Sequence, residues 1–225
     1  MASLAAMRMI ASFCNDPNKL RGRFRRLGFA LATFLAISVL GPTAPVAAQE
    51  LSDDVRAKRA VLLEARAERL DDLFGELART PRPAEARLVE GRIWTEWMLS
   101  GSATIDLMMG WAARAAQSGD HGVAFDYLDQ IIVLVPDYAE AWNRRATLHF
   151  LRGDYDKSVA DIEETLSREP RHFGALSGLG QIMLRQERPR LARDAFRRTL
   201  EIYPANRAAQ EALAKLEEEL SGDAL

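Results

Sequence analysis

Cysteine is nearly absent from this sequence: Cys14 is the only one in 225 residues. It lies in an N-terminal segment with the marks of a removable leader, so the remainder can form neither a disulfide nor a thiolate metal site. Histidine is scarce as well. His121, His149 and His172 never fall in an HxxxH or HExxH spacing, which would present two ligands on one helix face. No Walker-type Gly-Lys-Ser/Thr is present, since Lys157–Ser158 follows Asp156 and not glycine. GALSGLG, 174–180, lacks the preceding strand and the helix start at its glycines that a dinucleotide loop requires. The long uncharged apolar run, Leu27–Gly41, falls short of the ~20 residues of a membrane-spanning helix, and Pro42 and Pro45 close it. These absences leave no catalytic residue, no cofactor and no metal to assign, and they make packing the source of stability.

Charge of one sign is scarce only locally. The chain carries 30 basic and 32 acidic residues, but residues 1–48 hold Arg8, Lys19, Arg21, Arg23, Arg25 and Arg26 against Asp16 alone. Removing these leaves 24 basic and 31 acidic residues, a net charge of −7, on 49–225. An acidic body argues against nucleic-acid binding, because contact with a phosphate backbone needs a basic surface. The basic residues of 1–48 have a different explanation. KLRGRFRR, then LGFALATFLAISVLG, then PTAPVAAQE with Val46 and Ala48 at −3 and −1, form the three parts of a secretory signal. The expectation is a signal peptide over 1–48, cleaved after Ala48. The alternative is a retained N-terminal anchor, which would then be the only membrane contact. The stretch before Lys19 is long for a leader, so Met7 and Met9 stand as alternative starts.

What the sequence has in quantity is periodicity. Pro136, Pro170 and Pro204 are spaced by 34 residues, and the segments they close align as 105–138, 139–172 and 173–206. Each reads as two amphipathic helices joined by a polar turn (GDH, GDY or ERP), with proline stopping the second. Where two helices cross closely, one residue on each must be small. The eighth position is Ala112, Ala146 and Gly180; the twentieth is Ala124, Ser158 and Ala192. Large fillers surround that crossing: Met108, Trp142 and Leu176 at the fourth position, Leu128, Ile162 and Phe196 at the twenty-fourth. One such hairpin cannot cover its own apolar face, so neighbours must stack.

The flanks read as helical. A first helix capped by Ser52 and Asp53 places Leu63, Leu70, Phe74 and Leu77 on one face and ends before Pro81; a second covers Ala84–Ser100. AEAR at 84–87 echoes AEAW at 139–142, so 49–104 is an N-terminal helical region with the marks of a degenerate repeat. Residues 207–225 supply a polar-faced capping helix and a frayed tail. Trp111 and Trp142 fall on packing positions. Only one of Trp94 and Trp97 readily faces the core, which leaves the other as a candidate contact. Arg190, Arg193 and Arg197 share a face interleaved with acids, as a solvated surface does. Asp120–His121 is the counterpart of Asp154–Tyr155, so the repeat accounts for that acid–histidine pair.

The 34-residue period, Trp142, Gly153-Asp154-Tyr155 and Pro170 resemble the tetratricopeptide repeat (TPR) family. The resemblance implies an all-α fold: a right-handed superhelical stack of helix hairpins, with flanking N-terminal helices and a C-terminal capping helix. It also implies that positions two, five, nine, twelve and thirteen of each repeat face a concave groove. In the first repeat these are Asp106, Met109, Ala113, Ala116 and Gln117; in the second, Glu140, Asn143, Thr147, Phe150 and Leu151. In the third they are Gly174, Ser177, Gln181, Leu184 and Arg185. Asn143 and Gln181 would offer amides to an extended peptide, with Phe150 and Leu184 as apolar anchors. By the same resemblance, the protein is a non-catalytic, periplasmic scaffold or adaptor of the bacterial envelope that binds a partner protein. A small-ligand accessory domain, and self-association through Trp94, Trp97 and the first helix, are the alternatives.

Overall fold

The computed structural model describes residues 44–222, with side chains described from 53 to 221. Among these residues there are nine helices and no strand: α1 (Ala44–Arg79), α2 (Pro83–Trp97), α3 (Ala103–Gln117), α4 (His121–Leu134), α5 (Ala139–Leu151), α6 (Tyr155–Arg168), α7 (Phe173–Arg185), α8 (Pro189–Ile202) and α9 (Arg207–Gly222). The expected leader lies outside the described residues except for 44–48, which open α1. Ser52 and Asp53 are therefore not caps but lie within α1. Pro45 sits in the first turn, where an amide hydrogen would have no intrahelical acceptor, so it does not stop the helix.

The hairpins α3–α4, α5–α6 and α7–α8 stack in order, and α9 closes the series as the expected capping helix. Ala112, Ala146, Gly180, Ala124, Ser158 and Ala192 are all buried at the crossings. The need for a small residue is plainest at Gly180, where a β-carbon would stand 2.7 Å from the Phe196 ring. Ser158, the polar member of this set, donates its hydroxyl to the Ala146 carbonyl at 2.8 Å, so its burial leaves no unmet bond. Gly119 and Gly153 turn the chain with φ of 82° and 78°; the third repeat places Glu187 at the same point with φ 57°. Each proline directly follows the C-cap of the second helix, and the C-cap residue (Val135, Glu169 or Tyr203) has left the helical region, as the residue before a proline must.

The α1–α2 hairpin does not precede α3–α4 as a further repeat. Its apolar face (Leu70, Leu73, Phe74, Leu77, Ala86, Val89, Ile93 and Trp97) buries against Phe173, Tyr203 and Ala205, at the turns that enter and leave the third repeat. It touches each inter-repeat turn in succession. Tyr138 donates its hydroxyl to the Met98 carbonyl at 2.9 Å. Arg171 donates to Asp71 at 2.6 Å and lies 4.3 Å from the centre of the Phe74 ring. Tyr203 donates to Glu90 at 3.1 Å. The hairpin thus runs across the repeats like a brace. The AEAR echo does not reproduce the docking, because the larger part of its contact is aromatic and ionic and comes from residues outside that tetrad.

Both Trp94 and Trp97 join this contact, which corrects the expectation that one would face outward. Trp97 is 1% exposed and Trp94 is half-buried; their rings meet edge to face at 5.0 Å. Trp94 also packs against His172 and Phe173. The two tryptophans of the expected self-association surface are thus taken up within the protein, while the first helix that was to share it stays largely exposed over 53–69. Trp111, expected in the core, is 39% exposed. Trp142 is half-buried, donates its indole N–H to the Pro136 carbonyl at 2.9 Å, and lies under Arg145 and Arg168.

Candidate functional site

The first helices of the three repeats, α3, α5 and α7, lie side by side, and two clefts open between them. The cleft between α3 and α5, about 250 Å³, is lined by Met109, Ala112, Ala113, Ala116, Gln117, Arg144, Thr147, Leu148 and Leu151, over Leu128 from α4. The cleft between α5 and α7, about 160 Å³, is lined by Asn143, Ala146, Thr147, Phe150, Gly174, Ala175, Gly178, Gln181 and Ile182, over Ser158 and Ile162 from α6. Thr147 borders both. Small residues make these hollows: alanine or glycine at successive turns leaves room that longer side chains would fill.

Of the expected groove residues, Met109, Ala113, Asn143, Thr147, Phe150 and Gln181 line the clefts, while Asp106, Ser177, Leu184 and Arg185 do not. Asp106 accepts from the backbone N–H and hydroxyl of Ser100 at 2.8 and 2.6 Å, so it holds the turn before α3. Leu184 and Arg185 are exposed beyond the second cleft, and the Arg185 guanidinium sits 5.3 Å from the Phe150 ring centre. Met109 is 2% exposed and forms wall rather than contact surface. The hydroxyl of Thr147 already donates to the Asn143 carbonyl at 3.0 Å.

The second-position residues depart furthest from expectation. Glu140 is 1% exposed, and a β-carbon on Gly174 would meet the Trp94 ring at 2.8 Å. The α1–α2 brace covers this end of the groove. Glu140 is stabilised there by three donors: Asn143 at 3.0 Å, Arg144 at 2.6 Å and His172 at 3.2 Å. One amide expected to face a peptide is thus bound inside the protein, and Gln181 is the amide left exposed. His172, 0% exposed, accepts from the Ala175 amide through Nδ1 at 3.0 Å. That bond puts the ring proton on Nε2, aimed at Glu140. Trp97 stacks on the imidazole, 4.0 Å away and 7° from parallel. Burial alone would push the Glu140 carboxyl up; the hydrogen bonds from His172 and Arg144, with the Arg144 charge, outweigh it and hold the carboxyl below its ordinary range.

Sequence reasoning missed Arg144, the charged residue in the first cleft. The E-x-x-x-R spacing from Glu140 was its signal, since residues four apart on a helix are neighbours. The Glu140–His172 pair had no such signal, being 32 residues apart. Among the described residues, no three His, Cys, Asp or Glu side chains gather closely enough to hold a metal ion. The clefts therefore offer shape, apolar surface, two exposed amides (Gln117 in the first and Gln181 in the second) and one guanidinium.

Two family models described as tetratricopeptide repeat match residues 137–205 and 109–163. A TPR repeat-containing protein of Rhizobium etli is 43% identical over 200 residues, which cover 86% of this chain and 98% of that protein. Tetratricopeptide repeat protein 36 of Bos taurus is 31% identical over 99 residues, covering 43% of this chain and 51% of its own. Among solved structures, the first TPR of Spaghetti bound to an HSP90 peptide aligns with a TM-score of 0.49 at 18% identity, over 52% of this chain and 93% of that one.

Proposed function

The chain belongs to the tetratricopeptide repeat family, and on that premise we propose that its two adjoining clefts receive an extended segment of a partner protein. Repeats of this kind present their concave surface as a protein-interaction scaffold. The observation that carries the reading is the continuity of the clefts across Thr147: a segment lying along them can place one apolar side chain in each. Gln181 is positioned at the second cleft to bond the segment's backbone, and Arg144 at the first to take a carbonyl or carboxylate. The role is non-catalytic and adaptor-like. The three-part leader of residues 1–48 supports a place in the bacterial envelope, on the periplasmic side.

A photo-reactive residue at Thr147 or Gln181 tests this in intact cells, with Arg193 on α8 as the reference position. Capture of the same protein from both groove positions and not from Arg193 is expected. Equal capture at all three, or none in the groove, removes the proposal. Phe150→Ala should lower the groove capture without affecting yield of the folded protein.

A further inference from the structure

The stack has two ends, and they are finished differently. Within it, the third, seventh and twenty-third positions of a repeat are covered by the repeat before. Position three is Ala141, Ala175 and, in α9, Ala209, at 0%, 0% and 2% exposure; position twenty-three is Asp161 and Ala195, both 4%. The first repeat carries larger apolar groups at these positions and nothing among the described residues covers them. Leu107 is 51% exposed, Trp111 is 39% exposed, and Tyr127 is half-buried with its ring 5.6 Å from that of Trp111. Leu134, at position thirty, is 62% exposed; its counterparts Arg168 and Ile202 are partly covered. The brace does not serve as a preceding repeat: it lies along the inter-repeat turns, with its apolar face on Phe173 and Tyr203.

We infer that this α3–α4 face is the contact between two copies of the chain, packed about a two-fold axis. The inference is independent of what the groove binds. Three observations select a second copy. A further repeat continuing the superhelix would bury Arg114 at position ten, where the others place Leu148, Ile182 and Leu216 at 0–4% exposure; a guanidinium without a partner is costly to bury. A two-fold crossing centred on Trp111 instead keeps Arg114 about one turn from the centre, from where its long side chain reaches the rim and water, and arginine is common in interfaces. The far end of the stack, α9, exposes Glu217, Glu218 and Glu219, so head-to-tail addition onto an apolar face is disfavoured and the assembly closes at two. The size sets the strength: α3 and α4 present a face roughly 20 Å square, on the order of 400 Å² per copy, below that of a permanent interface and suited to a weak, concentration-dependent dimer.

Sedimentation velocity on the full chain, purified as its host produces it, tests the inference over about 1–100 µM, the range such an interface calls for. A concentration-dependent dimer is expected, with Trp111→Arg weakening it about 100-fold, as loss of a central tryptophan does. The circular-dichroism spectrum of that variant should match the parent's, and the unfolding midpoints should converge at concentrations where the parent is monomeric. Should Trp111→Arg fail to fold, Leu107→Glu reads the same contact. Gln181→Arg, in the groove, should leave the dimer intact. A monomer throughout the range, or a dimer indifferent to both face variants, overturns the inference.

Discussion

The repeat stack and the α1–α2 brace are both made of amphipathic helices, but different forces hold them. Repeat meets repeat through many small, interchangeable contacts: alanine or glycine at each crossing, an aliphatic or aromatic filler beside it. The brace meets the stack through one apolar face and a few individual polar groups whose partners occur once in the chain. Trp97 lies flat on His172, His172 donates to Glu140, Arg171 reaches Asp71, and Tyr203 reaches Glu90. A distributed contact tolerates substitution at any one point, whereas a concentrated one fails when a single member is lost. The brace also determines how much of the groove is open, because it covers the second positions and leaves the two clefts beyond them.

Substitutions that separate the two kinds of contact follow in order of size. Trp97→Ala should lower the free energy of unfolding by about 4 kcal/mol, read by chemical denaturation. A loss below about 1 kcal/mol, within the range of surface substitutions, would show the brace to be an appendage and end the contrast.

Glu140→Ala should cost about 3 kcal/mol, because it leaves the partners of a buried carboxylate unpaired. The pH dependence sharpens this. The folded pKa of Glu140 lies below its ordinary value of about 4.5, so its stabilisation is present above that pH and lost as pH falls through the folded value. His149 is also lowered, by burial first, with Asp161 opposing; its contribution is present above about 6.5 and lost as pH falls further. Stability should hold from neutral pH to about 10, where Tyr138 and Tyr203, both raised by burial from an ordinary value near 10, begin to oppose folding, and should decline in two stages on acidification. Glu140→Gln should remove the lower stage and keep the upper one; an unchanged two-stage curve would reassign the lower stage to other carboxylates.

The smallest effect is a gain. Glu187 occupies the left-handed turn position that glycine holds in the other repeats, and Glu187→Gly should stabilise by about 1 kcal/mol, or roughly 2–4 °C in Tm. A decrease would mean the Glu187 side chain contributes more than its backbone costs.

The stack was legible in the sequence because each of its rules is local and repeated three times: proline at 136, 170 and 204, a small residue at positions eight and twenty, a filler four residues away. The brace was not, because its partners are distant and each occurs once. Nothing in the sequence near Trp97 points to His172, and nothing near Gly174 points to Trp94. The groove was legible to the same degree as its neighbours: Thr147, Phe150 and Gln181 depend only on repeat position and line the clefts, while Glu140 is covered by the brace and was misplaced, and Asn143 lines the second cleft with its amide engaged by Glu140. Trp111 was misread for a related reason, since its repeat position is a core position only when another repeat precedes it.

The bonds from Arg171 to Asp71 and from Tyr203 to Glu90 join residues 100 and 113 apart in the chain. A solenoid whose units touch only their neighbours can fray from either end and regrow one unit at a time. Here the first helices are fastened to the last turn, so fraying at one end is checked by the other, and the ring of contacts must open as a whole. Such long-range closure slows folding relative to a free array of hairpins. In exchange, the spacing between α3, α5 and α7 is fixed before any guest arrives, and little ordering remains to be done when one does.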